Sequence, residues 1–215
     1  MSAQKDNSEQ RRPGRPRGGK RATASREQLL DIALNLFSRQ GIANTSLNTI
    51  AKAAGVTPAM LHYYFNSREQ LLDAMIEERF LPLRSRIVNL FTANPGSPVN
   101  ALSEMVNVLA ELAEEYHWFA PLWMQEVIGE MPVLRTHLQA RFGDEKYQAM
   151  LATVKGWQQN GKLNPALAPE LLFSTLLSLV LVPFSRMRND ERLNTLTPDI
   201  IVRHVLAVIG NGIGN

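Results

Sequence analysis

Apolar residues recur along this chain at the spacing of helices, with no sustained strand-like alternation. Leu29, Ile32, Ala33, Leu36 and Phe37 form one stripe between Ser25 and Gln40, the i, i+3, i+4, i+7 pattern of an amphipathic helix. Ser25-Arg26-Glu27-Gln28 opens that helix as a capping box, and Gly41 closes it. A shorter stripe follows in Leu47, Ile50, Ala51 and Ala54, with Thr45 or Ser46 available as N-cap. Gly55 supplies the permissive backbone of a sharp turn, and Val56 plugs the angle it makes. Thr57 then caps a third helix, Pro58 takes its first position, and Leu61 with Phe65 forms its buried edge. The box Ser67-Arg68-Glu69-Gln70 stops that helix after about two turns and opens the next. Helices this short are not stable alone, so the unit exists to hold an outer face against something.

Beyond Ser67 the pattern lengthens. Leu71, Leu72, Met75, Ile76 and Phe80 continue one helix to about Phe91, with a bend expected near Pro82, before the break at Asn94-Pro95-Gly96-Ser97-Pro98. Further helices are predicted from about Val99 to Tyr116, from His117 to about Gly129, and from Pro132 to Asn160 with a break at Gly143-Asp144. Two more follow, Pro169 to Phe184 and one capped by Thr197-Pro198-Asp199. The predicted fold class is all-α with about nine helices: an N-terminal three-helix head and a C-terminal helical body. In the last two helices the apolar residues spread around the axis, so both sides must be covered. One side faces the chain's own core; the other faces a twin subunit, in a four-helix isologous interface, or more of the same subunit.

Charge sharpens this picture. The chain is +3 overall, yet residues 1–26 hold eight basic side chains against Asp6 and Glu9. That makes the tail +6 and the remainder −3, and a tail of this composition has a polyanion as its natural partner. Within it, Gly14-Arg15-Pro16-Arg17 resembles an AT-hook, which would lay Arg15 and Arg17 along a narrow A·T-rich minor groove. The alternative is a basic arm that touches phosphates alone.

The chain has no cysteine, which excludes disulfide and thiol chemistry and suits a reducing cytoplasm. Its polar first 26 residues predict no signal peptide, and its longest apolar run, Leu171 to Phe184, is too short to span a bilayer. The expected location is the cytoplasm, away from membranes. The four histidines do not recur at metal-ligand spacing, so neither metal nor cofactor is expected. Glu126 and Glu130 share a helix face, but no nucleophile or phosphate loop accompanies them; they read as solvated surface and the chain as a non-enzyme.

The segment LNTIAKAAGVTPAMLHYYFNSREQLL resembles the DNA-binding domain of the tetracycline-repressor (TetR) family, in its IA-xx-AGV turn, its short LxxYF helix and its S-R-E restart. The resemblance covers Ser25 to Met75; the rest of the chain fits the family by length and helical pattern. It implies a helix-turn-helix whose second helix enters a DNA major groove. Thr45 and Ser46, at a helix N-terminus, then hold a phosphate, and Asn48 reaches a base edge, adenine by the chemistry of its amide. Thr57, Pro58, Ala59, His62 and Tyr63 form the outward face, and Arg68 corresponds to a cationic residue that clamps phosphate. The family commonly has tyrosine where this chain has His62, for which a phosphate contact is the reasonable role. In the body, Trp118, Phe119, Trp123, Met124, Met131 and Trp157 concentrate bulky side chains that read as the lining of an effector pocket or as plain core.

The resulting expectation has three parts: a disordered basic arm (1–24), a DNA-binding head (25–72) and a ligand-binding and dimerisation body (73–215). The protein would be a homodimeric repressor released from a palindromic double-stranded operator by a small, largely apolar effector. The competing expectation is a constitutive DNA-binding protein whose body only dimerises.

Overall fold

Four hydroxyls set the helix starts of the N-terminal region. Ser25 Oγ accepts from Gln28 N at 3.2 Å while Gln28 Oε1 accepts from Ser25 N at 2.9 Å, a complete capping box on α1 (Arg26–Gln40). Ser46 accepts from Thr49 N at 3.1 Å ahead of α2 (Leu47–Ala53), and Thr57 from Met60 N at 3.3 Å ahead of α3 (Pro58–Phe65). Ser67 accepts from Gln70 N at 3.2 Å ahead of α4 (Arg68–Met75). This last motif is half a box, because Gln70 Oε1 accepts from Asn66 Nδ2 instead. The computed structural model describes residues 24–93, 96–128, 133–142, 145–187, 190–193 and 195–212.

The turn between α2 and α3 passes through Gly55 at φ +65°, a left-handed conformation that glycine adopts without strain. Leu61 and Phe65 of α3 and Ile50 and Ala51 of α2 are buried as expected. The stripe of α1 is rotated from its expected place: Leu30 and Leu34 are fully buried, while Ile32 and Leu36 remain half-buried. The cause is tertiary, since α1 is covered by α2 and α4 and also by α7 (Phe119–Ile128).

The fourth helix runs unbroken through a π-helical turn, Ile76–Phe80, into α5 (Leu81–Ala93). Where the sequence places a bend, near Pro82, the chain forms this π-helical turn. Proline offers no N–H to the Glu78 carbonyl, and the chain widens just before it, with Leu81 N bonding Ile76 O.

The body is built on α6 (Pro98–Glu115), which packs against α5, α10 (Pro169–Arg186) and α11 (Pro198–Gly212). The long helix expected from Pro132 to Asn160 is present as α8 (Val133–Phe142) and α9 (Glu145–Gln159), on either side of residues 143–144. With α4 to α5 counted as one, the described residues hold ten α-helices and no strand. Contrary to the sequence reading, α10 is by length and composition apolar enough to cross a membrane, with a mean hydropathy of 1.2 over 18 residues. Its six buried residues, Phe173 and Leu176 among them, pack against other helices of the body, as a core helix does.

Candidate nucleic-acid interface and the cavity behind it

The outer surface of α2 and α3 presents Asn48, Lys52, Thr57, Pro58, Ala59, His62 and Tyr63, all exposed. Tyr63 is 81% exposed, the largest value among the exposed large hydrophobic residues, and its ring lies T-shaped to that of Tyr64 at 5.3 Å. His62 Nδ1–H donates to Asn66 O at 2.9 Å, which closes the C-terminus of α3 and orients the ring.

Two of the expected phosphate contacts are differently employed. Thr45 is 1% exposed, and its Oγ1 donates to Gly41 O at 2.7 Å, so its hydroxyl stitches the α1–α2 connection while Ser46 alone caps α2. Arg68 is half-buried, and its Nη2 donates to the Ile42 carbonyl, which ties the start of α4 to the same connection. Arg15 and Arg17 lie outside the described residues.

The head is joined to the body by charged pairs on the π-helical turn. Arg26 at the start of α1 makes a bidentate pair with Glu78, at 2.7 and 2.6 Å, while its guanidinium lies 5.2 Å from the centre of the Phe65 ring. The Arg26 hydrogen bond holds the Glu78 carboxyl below its ordinary range, against the opposing effect of burial. One residue on, Arg79 Nε donates to Asp31 of α1 at 3.1 Å. His137 of α8 reaches Asp73 of α4 at 2.7 Å. A further link comes from α7, where Gln125 Nε2 donates to Ser38 O at 3.2 Å. Gly41 has φ +83°, so a larger residue there is strained, and its Cβ would stand 2.9 Å from Gln125 Oε1 and push that side chain off its place.

Behind these links lies a cavity of about 410 Å³, within the usual size of small-molecule sites. Among the described residues, five rings line it, those of Phe80, Phe119, Trp123, Tyr147 and Phe173, with aliphatic side chains such as Leu83, Ile87 and Leu177. Its charged lining residues, among the described residues, are Arg84, Arg135 and Glu126. Glu126 is the correction here: far from being solvated surface, it is 8% exposed. Its Oε2 accepts from Leu134 N at 2.8 Å and Arg135 N at 3.4 Å, at the N-terminus of α8. Burial raises the carboxyl above its ordinary range, and the two N–H bonds and Arg135 oppose that rise.

Of the six residues expected to line a pocket, Phe119 and Trp123 do so. Trp118 is buried between Phe80, Tyr116 and Phe119, with ring centres 5.2 to 6.0 Å apart, and Trp157 is buried against Phe91 at 6.0 Å; both are core. Met124 is half-buried on α7 and away from the cavity lining. Met131 lies outside the described residues. Sequence reasoning missed Glu126, although a signal was present: Phe119, Trp123 and Glu126 stand at i, i+4 and i+7, which puts a carboxylate on an aromatic face.

With this geometry in hand, known proteins give a consistent comparison. Residues 29–75 match the family described as bacterial regulatory proteins, tetR family. The HTH-type transcriptional regulator RutR of Escherichia coli K12 is 31% identical over 160 residues, covering 72% of this chain and 73% of RutR. Among solved structures, the ketosteroid transcriptional regulator KstR2 of Mycobacterium tuberculosis superposes with a TM-score of 0.65 at 18% identity, over 88% of this chain and 94% of that one. A putative transcriptional regulator from Saccharomonospora viridis, solved in complex with choline, gives 0.61 at 20% identity, over 87% and 96%.

Proposed function

The chain belongs to the TetR family of bacterial regulatory proteins, transcriptional regulators and not enzymes, and on that premise we propose that it is a homodimeric repressor released from its operator by a small effector. Residues 25–72 hold a palindromic operator, residues 73–215 bind the effector and pair the subunits, and residues 1–24 add a basic arm through Arg15 and Arg17.

The observation that carries this reading is the π-helical turn. Glu78 and Arg79 hold α1 of the head, while Phe80, in the same turn, forms part of the cavity wall. An occupant that displaces Phe80 therefore strains the ion pairs that fix the head. The same logic applies to α7, where Trp123 and Glu126 face the cavity and Gln125 between them holds the Ser38 carbonyl. An effector acts only through a difference in affinity between two arrangements of these links. A similar regulator solved with choline supports small-molecule binding in this fold. A purely constitutive DNA-binding protein has no use for an aromatic cavity wired to its head.

On the operator, α3 enters the major groove with Tyr63, Thr57, Pro58 and Ala59 against base edges. Asn48 reads adenine from α2, and Ser46 and His62 meet phosphates. Thr45 and Arg68 support the site by fixing the α1–α2 connection. Tyr63→Ala tests the groove assignment most cleanly, because the ring is 81% exposed and caps no helix. Specific binding measured by fluorescence anisotropy should weaken by about 1–3 kcal/mol, with the helical CD signal and melting temperature unchanged. Thr57 is less clean, since it also caps α3. A Tyr63→Ala protein that binds a selected operator as tightly as the parent would remove α3 from the groove.

A further inference from the structure

We propose that the cavity takes an amphipathic organic cation, with Glu126 as its counter-ion and the faces of Trp123 and Phe119 as its walls. This rests on the reading of the cavity as an effector site and names the chemistry of its occupant.

Glu126 Oε2 is held by the two N–H groups of α8, which leaves Oε1 without a bond among the described residues. A carboxylate in apolar surroundings is costly unless it is paired. The amides and the positive end of α8 offset part of that cost, yet burial still keeps the carboxyl above its ordinary range. A ligand with a positive end completes the pairing. A neutral apolar ligand desolvates Oε1 and gives nothing back, and an anion adds repulsion.

The walls favour the same occupant, because ring faces attract cations most strongly where water is excluded, and Trp123 and Phe119 stand one and two turns from Glu126 on a single helix face. Among the described residues, Arg84, Arg135 and Tyr147 are the other titratable groups lining the cavity. The Arg135 side chain is exposed and that of Arg84 half-buried, so solvent and salt screen these two charges more than they screen Glu126. The buried charge decides the sign.

Three probes of nearly one shape separate the cases: benzyltrimethylammonium, its neutral carbon isostere neopentylbenzene, and phenylacetate. Each is titrated at neutral pH into the full chain, followed by calorimetry and tryptophan fluorescence, with operator binding measured alongside. The cation should bind about tenfold more tightly than the neutral isostere. Glu126→Gln, which keeps an oxygen for both amides, should erase that preference by weakening the cation, while neopentylbenzene, which no longer desolvates a charge, should bind no more weakly than before. Arg84→Gln, which does not touch Glu126, should tighten the cation by removing an opposing charge. Equal binding of the neutral probe, tighter binding of phenylacetate, a preference that survives Glu126→Gln, a cation weakened by Arg84→Gln, or no binding of the cation at all would each overturn the proposal. Its failure is distinct from that of the effector reading. If the neutral probe or the anion binds and loosens the operator, the cation chemistry is wrong and the effector site stands. If the cation binds through Glu126 while operator affinity stays fixed, the chemistry stands and the effector reading falls.

Discussion

Phe37→Ala is expected to destabilise the head by about 3–5 kcal/mol, the usual cost of emptying a buried phenylalanine site. Phe37 is fully buried on α1, in one core with Leu30, Leu34, Ile50, Leu61 and Phe65. Helices α2 and α3 have 7 and 8 residues, well below the length at which a helix survives alone in water, so their order is borrowed from the surface of α1. A loss of this size is a large fraction of the stability of any small domain. Urea unfolding followed by CD should show a lower midpoint, and operator binding should fall along with it. A cost under about 1 kcal/mol would mean that α2 and α3 draw their order from somewhere else.

The second large effect concerns assembly. On α10 and α11, Leu171 is 62% exposed, Val208 46% and Ile200 37%, although α10 and α11 each already bury another face in the body. The groove between the two helices is lined by small and apolar side chains, among them Ser174, Ser178, Leu179 and Val182. This is the surface proposed to meet a twin subunit. The double variant Leu171→Asp, Val208→Asp places two like charges on each side of a self-complementary interface. Because both positions are exposed within one chain, its fold should be little affected. Sedimentation equilibrium should show dimer turning into monomer, and operator affinity should fall by about 10²–10⁴, the advantage that linking two half-site contacts confers. A parent chain that sediments as a monomer would contradict the homodimer, and a variant that remains dimeric would move the interface elsewhere.

What the sequence disclosed and what it hid follow a physical line. The Ser25 capping box, the Gly55 turn and Pro58 at the start of α3 were legible because each is settled within a few residues. The buried edge Leu61 and Phe65 was legible because it repeats at helical spacing. Thr45 was misjudged because two adjacent hydroxyls competed for one cap, and only the packing of the α1–α2 connection decides that Ser46 faces the helix while Thr45 turns to Gly41. Arg68 has its expected phosphate contact from the family resemblance; its bond to the Ile42 carbonyl, 26 residues away, is one that no local pattern shows. Trp118 and Trp157 have the composition of a pocket and the position of a core; which side of a helix meets the cavity is fixed by α5, α6 and α10 together. Glu126 was set against Glu130 at one spacing, when its informative neighbours were the rings of Phe119 and Trp123.

The central claim is that α2 and α3 read DNA sequence as a symmetric pair, and its most direct test is a footprint on operators selected from a random pool by the full-length protein. The account predicts convergence on an inverted repeat with two major-groove footprints centred about 34–36 Å apart, or a multiple of that, and their loss with Tyr63→Ala. A pool that converges on no sequence, with affinity set by salt alone, would contradict it.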